Sequence, residues 1–147
     1  MNEKLKLENQ LCFPLYACAK EIVRRYTPLL EPLGLTYTQY IAMMVMWEHK
    51  SISIRDMGKL LFLDSGTLTP MLKKMEKAGW ITRRRSKEDE RVVMVSITAE
   101  GEELHGKAEA IPSKMAGCVT LENDEALQMY TLLHKLMKSF SQNTDSR

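Results

Sequence analysis

The sequence predicts a mainly α-helical protein carrying one small β-hairpin. Apolar residues recur at helical spacing through most of the 147 positions, and side chains suited to capping a helix stand ahead of those stretches. Only between Trp80 and Ile97 do β-prone runs flank a polar turn. A composition of 44% hydrophobic and 27% charged residues is that of a folded chain of one domain, which excludes disorder over most of its length.

From Leu5 to Leu33 the pattern is broadly helical, with Leu11, Leu15, Ile22, Leu29 and Leu33 among its apolar positions. Pro14 and Pro28 interrupt it; each lacks an N–H and crowds the preceding turn, so the helix is expected to start or kink near Pro14 and bend again near Pro28. Gly34 is a stop signal, and Thr36 can cap a second helix, Tyr37 to about His49, apolar nearly all round and therefore buried. Ser53 can cap a third helix, in which Ile54, Met57, Leu60 and Leu61 share a face.

Asp64 can cap a fourth helix running to about Ala78, with Gly79 just beyond it. Leu68, Met71, Leu72, Met75 and Ala78 fall on one side, while Ser65, Thr67, Thr69, Pro70, Lys73, Lys74 and Lys77 fall on the other. Trp80 to Arg85 and Val92 to Ile97 then read as a two-stranded hairpin around Ser86 to Glu90. Thr98 caps a helix to about Gly117, and a last helix runs from about Asn123 to Phe140, leaving Ser141 to Arg147 frayed.

The net charge of +2 conceals an uneven distribution. Residues 51–97 hold ten basic and six acidic side chains, whereas residues 98–147 hold five and eight. A basic centre beside an acidic tail points to a local polyanion site. Two helices joined by a tight turn, followed by a basic hairpin, give winged helix-turn-helix order, in which the second helix enters the major groove of double-stranded DNA. Hydroxyls and ammonium groups on the exposed side of the fourth helix suit phosphates and base edges, and the hairpin adds Arg83, Arg84, Arg85, Lys87 and Arg91. A solvated helix beside a charged hairpin has the same composition; the order of the elements favours nucleic acid.

No apolar run approaches the roughly 20 residues that span a bilayer, and Met1 to Glu8 is polar without a secretory core. The expectation is a cytoplasmic protein with no membrane partner. Cys12, Cys18 and Cys118 are then thiols, and an odd number cannot all pair within one chain. Cys12 stands where a helix begins, at the positive end of its dipole, which favours thiolate; Tyr16 is on the same face. The plainer alternative is a small buried cysteine beside a core tyrosine. Cys18 faces another side and reads as a packing residue. His49, His105 and His134 are too scattered for a metal site, there is no phosphate loop or catalytic triad, and no cofactor is expected.

The stretch Asp64 to Glu76 (DSGTLTPMLKKME), then Gly79-Trp-Ile-Thr-Arg, Asp89-Glu-Arg-Val and Ile97-Thr, resembles the MarR family of dimeric winged-helix repressors over nearly the whole chain. Leu11-Cys12-Phe13 with Leu15-Tyr16, and Leu35 to Tyr40 (LTYTQY), are similar to its organic-hydroperoxide-resistance (OhrR) subgroup. The resemblance implies an intertwined homodimer, with residues 1–36 and 98–147 as the helical dimerisation region and residues 37–97 as the DNA-binding region. It implies that Asp89 orients Arg91 into the minor groove, that Ser65, Thr67 and Thr69 line the reading helix, and that Cys12 senses organic hydroperoxide or a related oxidant. Tyr26 and Tyr37 of the partner subunit would hydrogen-bond Cys12. Cys118 of the partner subunit would resolve its sulfenic acid, with a mixed disulfide to a low-molecular-weight thiol as the other route. Pro14 departs from a family that usually continues its helix there. Two further readings remain: a repressor released by a small phenolic or apolar ligand, and a thiol peroxidase.

Overall fold

The structure, a computed structural model, describes residues 2–144 and the side chains of residues 2–141. Two 3₁₀ turns, Glu3–Leu5 and Leu7–Asn9, lead into α1, Cys12–Leu30. Pro14 does not break this helix. It occupies the first turn, where an N–H would have no partner inside the helix, so the missing donor removes no helical bond. α1 also continues through Pro28 to Leu30, and a 3₁₀ turn, Glu31–Leu33, then ends on Gly34 at φ 76°.

Thr36 opens α2, Tyr37–His49, with a full capping box: its hydroxyl accepts from Gln39 N at 3.2 Å, and its own N–H donates to Gln39 Oε1 at 3.0 Å. Ser53 caps α3, Ile54–Leu61, and Asp64 caps α4, Ser65–Lys77. Between α3 and α4 the chain turns at Phe62, a non-glycine residue at φ 56°. Gly58 makes that turn possible, since a Cβ there would stand 2.7 Å from the Leu63 carbonyl oxygen. The core under these helices contains Tyr40, Met43, Met46, Met57, Leu68, Leu72, Met75, Ile81 and Val95, all essentially fully buried. Methionine thioethers fill the irregular space where the helices cross.

The expected two-stranded hairpin is a three-stranded sheet. β2, Ile81–Arg85, and β3, Val93–Ile97, pair antiparallel with Arg83 opposite Val95; β1, Ser51–Ser53, pairs on the other edge of β3 with Ile52 opposite Val95. Three residues are too short for an alternation signal, and their sequence reads equally well as the cap of α3.

Thr98 caps α5, Ala99–Ala108, but the helix expected to reach Gly117 divides there, and α6 is Ile111–Ala116. Pro112 cannot donate to the Ala108 carbonyl, which interrupts a continuous helix. The chain forms two compact units divided between Met115 and Ala116. The second contains α7, Asn123–Thr144, so Ser141 to Thr144, expected to fray, continue the helix; residues 145–147 lie outside the described residues.

Candidate nucleic-acid interface and thiol site

α4 turns its apolar side, Leu68, Met71, Leu72 and Met75, into the core. Ser65, Thr67, Pro70, Lys73 and Lys74 are exposed on the other side and Thr69 is half-buried. Ala78, expected inside, is exposed just past the helix end. Asp64 accepts from Thr67 N at 3.1 Å, and hydrogen bonding from Thr67, its hydroxyl first and then its amide, lowers the Asp64 carboxyl below its ordinary pKa. The capping carboxylate therefore stays charged at the positive end of α4, beside the hydroxyls of its first turn.

At the tip of the hairpin, Arg91 Nε and Nη2 donate to Asp89 Oδ1 and Oδ2 at 3.1 and 3.2 Å, and Arg91 N donates to Oδ1 at 3.1 Å. These bonds, the guanidinium's first, hold the Asp89 carboxyl below its ordinary pKa. The Arg91 side chain is 90% exposed all the same. A bidentate carboxylate restricts the arginine's rotamers while leaving donors available to a ligand. Arg84 and Arg85 are exposed on β2, and Arg85 Nη1 donates across the hairpin to the Glu90 carbonyl at 2.8 Å. Arg83 differs from its sequence-based placement among outward cations. Its guanidinium turns back to Glu76 on α4 at 3.1 Å, and its side chain is 21% exposed.

Cys12 is the first residue of α1 and is exposed. No side chain caps that helix end, since Leu11 stands at the cap position. The first-turn amides are therefore available to an anion beside Cys12, less the one that Pro14 lacks. Tyr16 is exposed too, with Lys20 Nζ 5.7 Å from its ring centre. Tyr26 and Tyr37 meet with ring centres 4.9 Å apart, and Tyr40, which the sequence reading did not single out, completes the cluster at 5.6 Å from Tyr26 and 6.3 Å from Tyr37. Burial raises the pKa of all three phenols, furthest for Tyr40, to about 12, where Tyr26 and Tyr37 add to it. Each phenol therefore keeps its proton and can donate a hydrogen bond at neutral pH.

The structure does not bring Cys12 to these tyrosines within one chain. Tyr26 lies fourteen residues further along the same helix, about 21 Å of axial rise. Cys118 is exposed in the turn after α6, in the second unit, and Cys18, expected to pack, is exposed on α1. A cavity of about 450 Å³ opens between α2 and α5–α6, lined by Tyr40, Met44, Trp47, Glu48, His105, Ala108, Glu109 and Pro112. Among the described residues no helix is long and apolar enough to cross a membrane, and no three metal-ligating side chains cluster.

The family described as transcriptional regulator SarA/Rot matches residues 24–108. The organic hydroperoxide resistance transcriptional regulator of Bacillus subtilis is 46% identical over 140 residues, covering 95% of each chain. Among solved structures, reduced AbfR bound to DNA superposes with a TM-score of 0.78 at 30% identity, covering 97% of this chain and 98% of that one; AbfR is a Staphylococcus epidermidis protein. A disulfide form of AbfR matches with a TM-score of 0.64 at 33% identity over 91% of this chain and 95% of that one.

Proposed function

Because the chain belongs to the MarR family of winged-helix transcriptional regulators, in its SarA/Rot branch, we propose that it is a homodimeric repressor that binds a pseudo-palindromic operator when reduced and releases it when Cys12 is oxidised. The observation that carries the DNA reading is the outward face of α4 lying in one compact unit with the Asp89–Arg91 pair. In this reading Ser65, Thr67, Thr69, Pro70, Lys73 and Lys74 meet the major groove, Arg84 and Arg85 meet phosphates, and Arg91, oriented by Asp89, enters the minor groove. The chain acts as a regulator and not as an enzyme.

Release begins at Cys12. Its thiolate attacks the terminal oxygen of an organic hydroperoxide; the O–O bond breaks, the alcohol leaves with a proton from solvent, and Cys12 becomes a sulfenic acid. The thiolate of Cys118 of the partner subunit then attacks the Cys12 sulfur, forming the disulfide and expelling hydroxide, which is protonated to water. A low-molecular-weight thiol can take the place of Cys118 with the same balance. Two features support the partner arrangement: the length of α1 that separates Cys12 from its own Tyr26, and the similarity to AbfR, a protein solved in reduced and disulfide forms. Tyr26 and Tyr37 are protonated donors, suited to a sulfur anion supplied by another chain.

The test is operator binding by reduced and hydroperoxide-treated protein, with non-reducing mass analysis of the same samples. Cys12→Ser is expected to bind operator normally and to ignore hydroperoxide; dissociation of that variant on oxidation would remove Cys12 as the sensor. Cys118→Ser is expected to lose the intersubunit disulfide, and a mass increase matching an added thiol would assign resolution to the small-molecule route. The cavity between α2 and α5–α6 favours a second reading, release by a phenolic or apolar ligand. Effector titration under strict reduction separates the two.

A further inference from the structure

We propose that Glu76 and Arg83 form a clamp that sets the angle between the reading helix and the wing, acting as positioning residues for DNA binding and not as DNA contacts. This inference rests on the DNA-binding reading above. The sheet order is β1-β3-β2, so β2 is an edge strand, and its amides that face away from β3 have no strand partner. Glu76, in the last turn of α4, fills one of these places. Its Oε2 accepts from Arg83 N at 2.9 Å, while its Oε1 accepts from Arg83 Nη2 at 3.1 Å.

Attachment at two points of one residue fixes direction as well as distance. The link it spans is short: α4 ends at Lys77, Gly79 turns the chain at φ 90°, and β2 begins at Ile81. Glycine leaves that turn permissive, and the clamp closes it into a ring. The wing acts as a lever, because its tip lies roughly 10–15 Å beyond Arg83 at strand spacing, so a tilt of about 10° at the base displaces Arg91 by about 2–3 Å. A groove contact does not survive that displacement.

Two details separate this arrangement from an incidental surface ion pair. Arg84 and Arg85 are exposed, whereas Arg83 is withdrawn, and its Nε is buried with no hydrogen-bond partner. A mobile surface arginine avoids an unpaired buried donor by turning into water, so the Glu76 contacts must hold it. Glu76 is also the only acid within α4, on a helix that carries Lys73, Lys74 and Lys77. By charge alone, removing that acid would strengthen attraction to a polyanion. The clamp predicts the opposite sign.

The experiment uses the full-length reduced protein and a duplex enriched by the wild type from a randomised pool. Affinities are measured for the wild type, Glu76→Ala, Glu76→Gln, Arg91→Ala and the Glu76→Ala/Arg91→Ala double variant, with thermal midpoints recorded for each. Glu76→Ala is expected to weaken binding about tenfold. The double variant is expected to bind little worse than Arg91→Ala, because a mispositioned wing has already lost what Arg91 contributes. Glu76→Gln keeps an acceptor for Arg83 N and is expected to recover part of the loss. Equal or tighter binding by Glu76→Ala, or losses in the double variant that multiply, would overturn the clamp while leaving the DNA-binding reading intact. Enrichment of no duplex by the wild type would overturn that reading, and the inference with it.

Discussion

At the residue scale, pairing decides what each arginine of the wing can do. Arg91 and Arg83 both meet a carboxylate, but Asp89 holds Arg91 from within the tip and leaves it 90% exposed, whereas Glu76 draws Arg83 back to 21%. The first geometry presents a cation and the second uses one as a fastener. Replacing Arg91 with alanine is accordingly expected to weaken operator binding at least about tenfold; full affinity in an equilibrium titration of that variant would remove it from the interface. The sequence showed that these arginines exist and that three of them are consecutive, but not how they divide. Strand alternation alone puts Arg84 on the opposite face from Arg83 and Arg85, and the difference between Arg83 and Arg85 depends on a glutamate seven positions earlier on another element. Tyr40, the last residue of the LTYTQY motif, was not expected in this cluster for a related reason: in an apolar helix a tyrosine reads as core, and its place beside Tyr26 and Tyr37 depends on how α1 packs on α2.

At the element scale, most boundaries were legible because capping residues announce them. Thr36, Ser53, Asp64 and Thr98 each cap the helix expected of them. The differences have local causes: a proline in a first turn leaves α1 whole, a proline in the first turn of α6 divides it from α5, and a strand of three residues is too short to show a period. The Asp64 cap has a pH signature. A carboxyl whose folded pKa lies below its unfolded value stabilises fully above the ordinary aspartate range, and that stabilisation is lost as pH falls through the lowered value. Asp64→Asn caps without titrating, so it is expected to lose less stability than the wild type as pH falls through and below the ordinary aspartate range in denaturant titrations; parallel losses would contradict the cap's charge. Within α3, beneath the turn that follows it, Gly58→Ala is expected to cost about 1–3 kcal/mol, because a new methyl would meet the Leu63 carbonyl and the Leu68 side chain. An unchanged thermal midpoint would show that the turn relaxes freely.

At the scale of the whole molecule, each unit exposes apolar surface that a single chain does not cover. On α1 this includes Phe13, Leu15, Ile22 and Val23; on α7 it includes Leu127, Leu132, Leu136 and Phe140. Exposed apolar side chains in this number favour association. Light scattering at micromolar concentration is expected to give twice the 16.9 kDa chain mass, and a monomer there would contradict the dimer reading. The sheet has a consequence of a different kind. β1 precedes both helices of the turn, yet its partner β3 follows them, with Ser51 opposite Ser96. The ladder therefore closes a loop that contains α3, α4 and β2, and this closure carries an entropy that no local contact offsets. During synthesis the reading helix can coil as soon as it emerges, but its orientation is fixed only after Ile97 has left the ribosome. The part of the chain that would read DNA thus takes its final orientation only twenty residues after its own last one, Lys77, has been made.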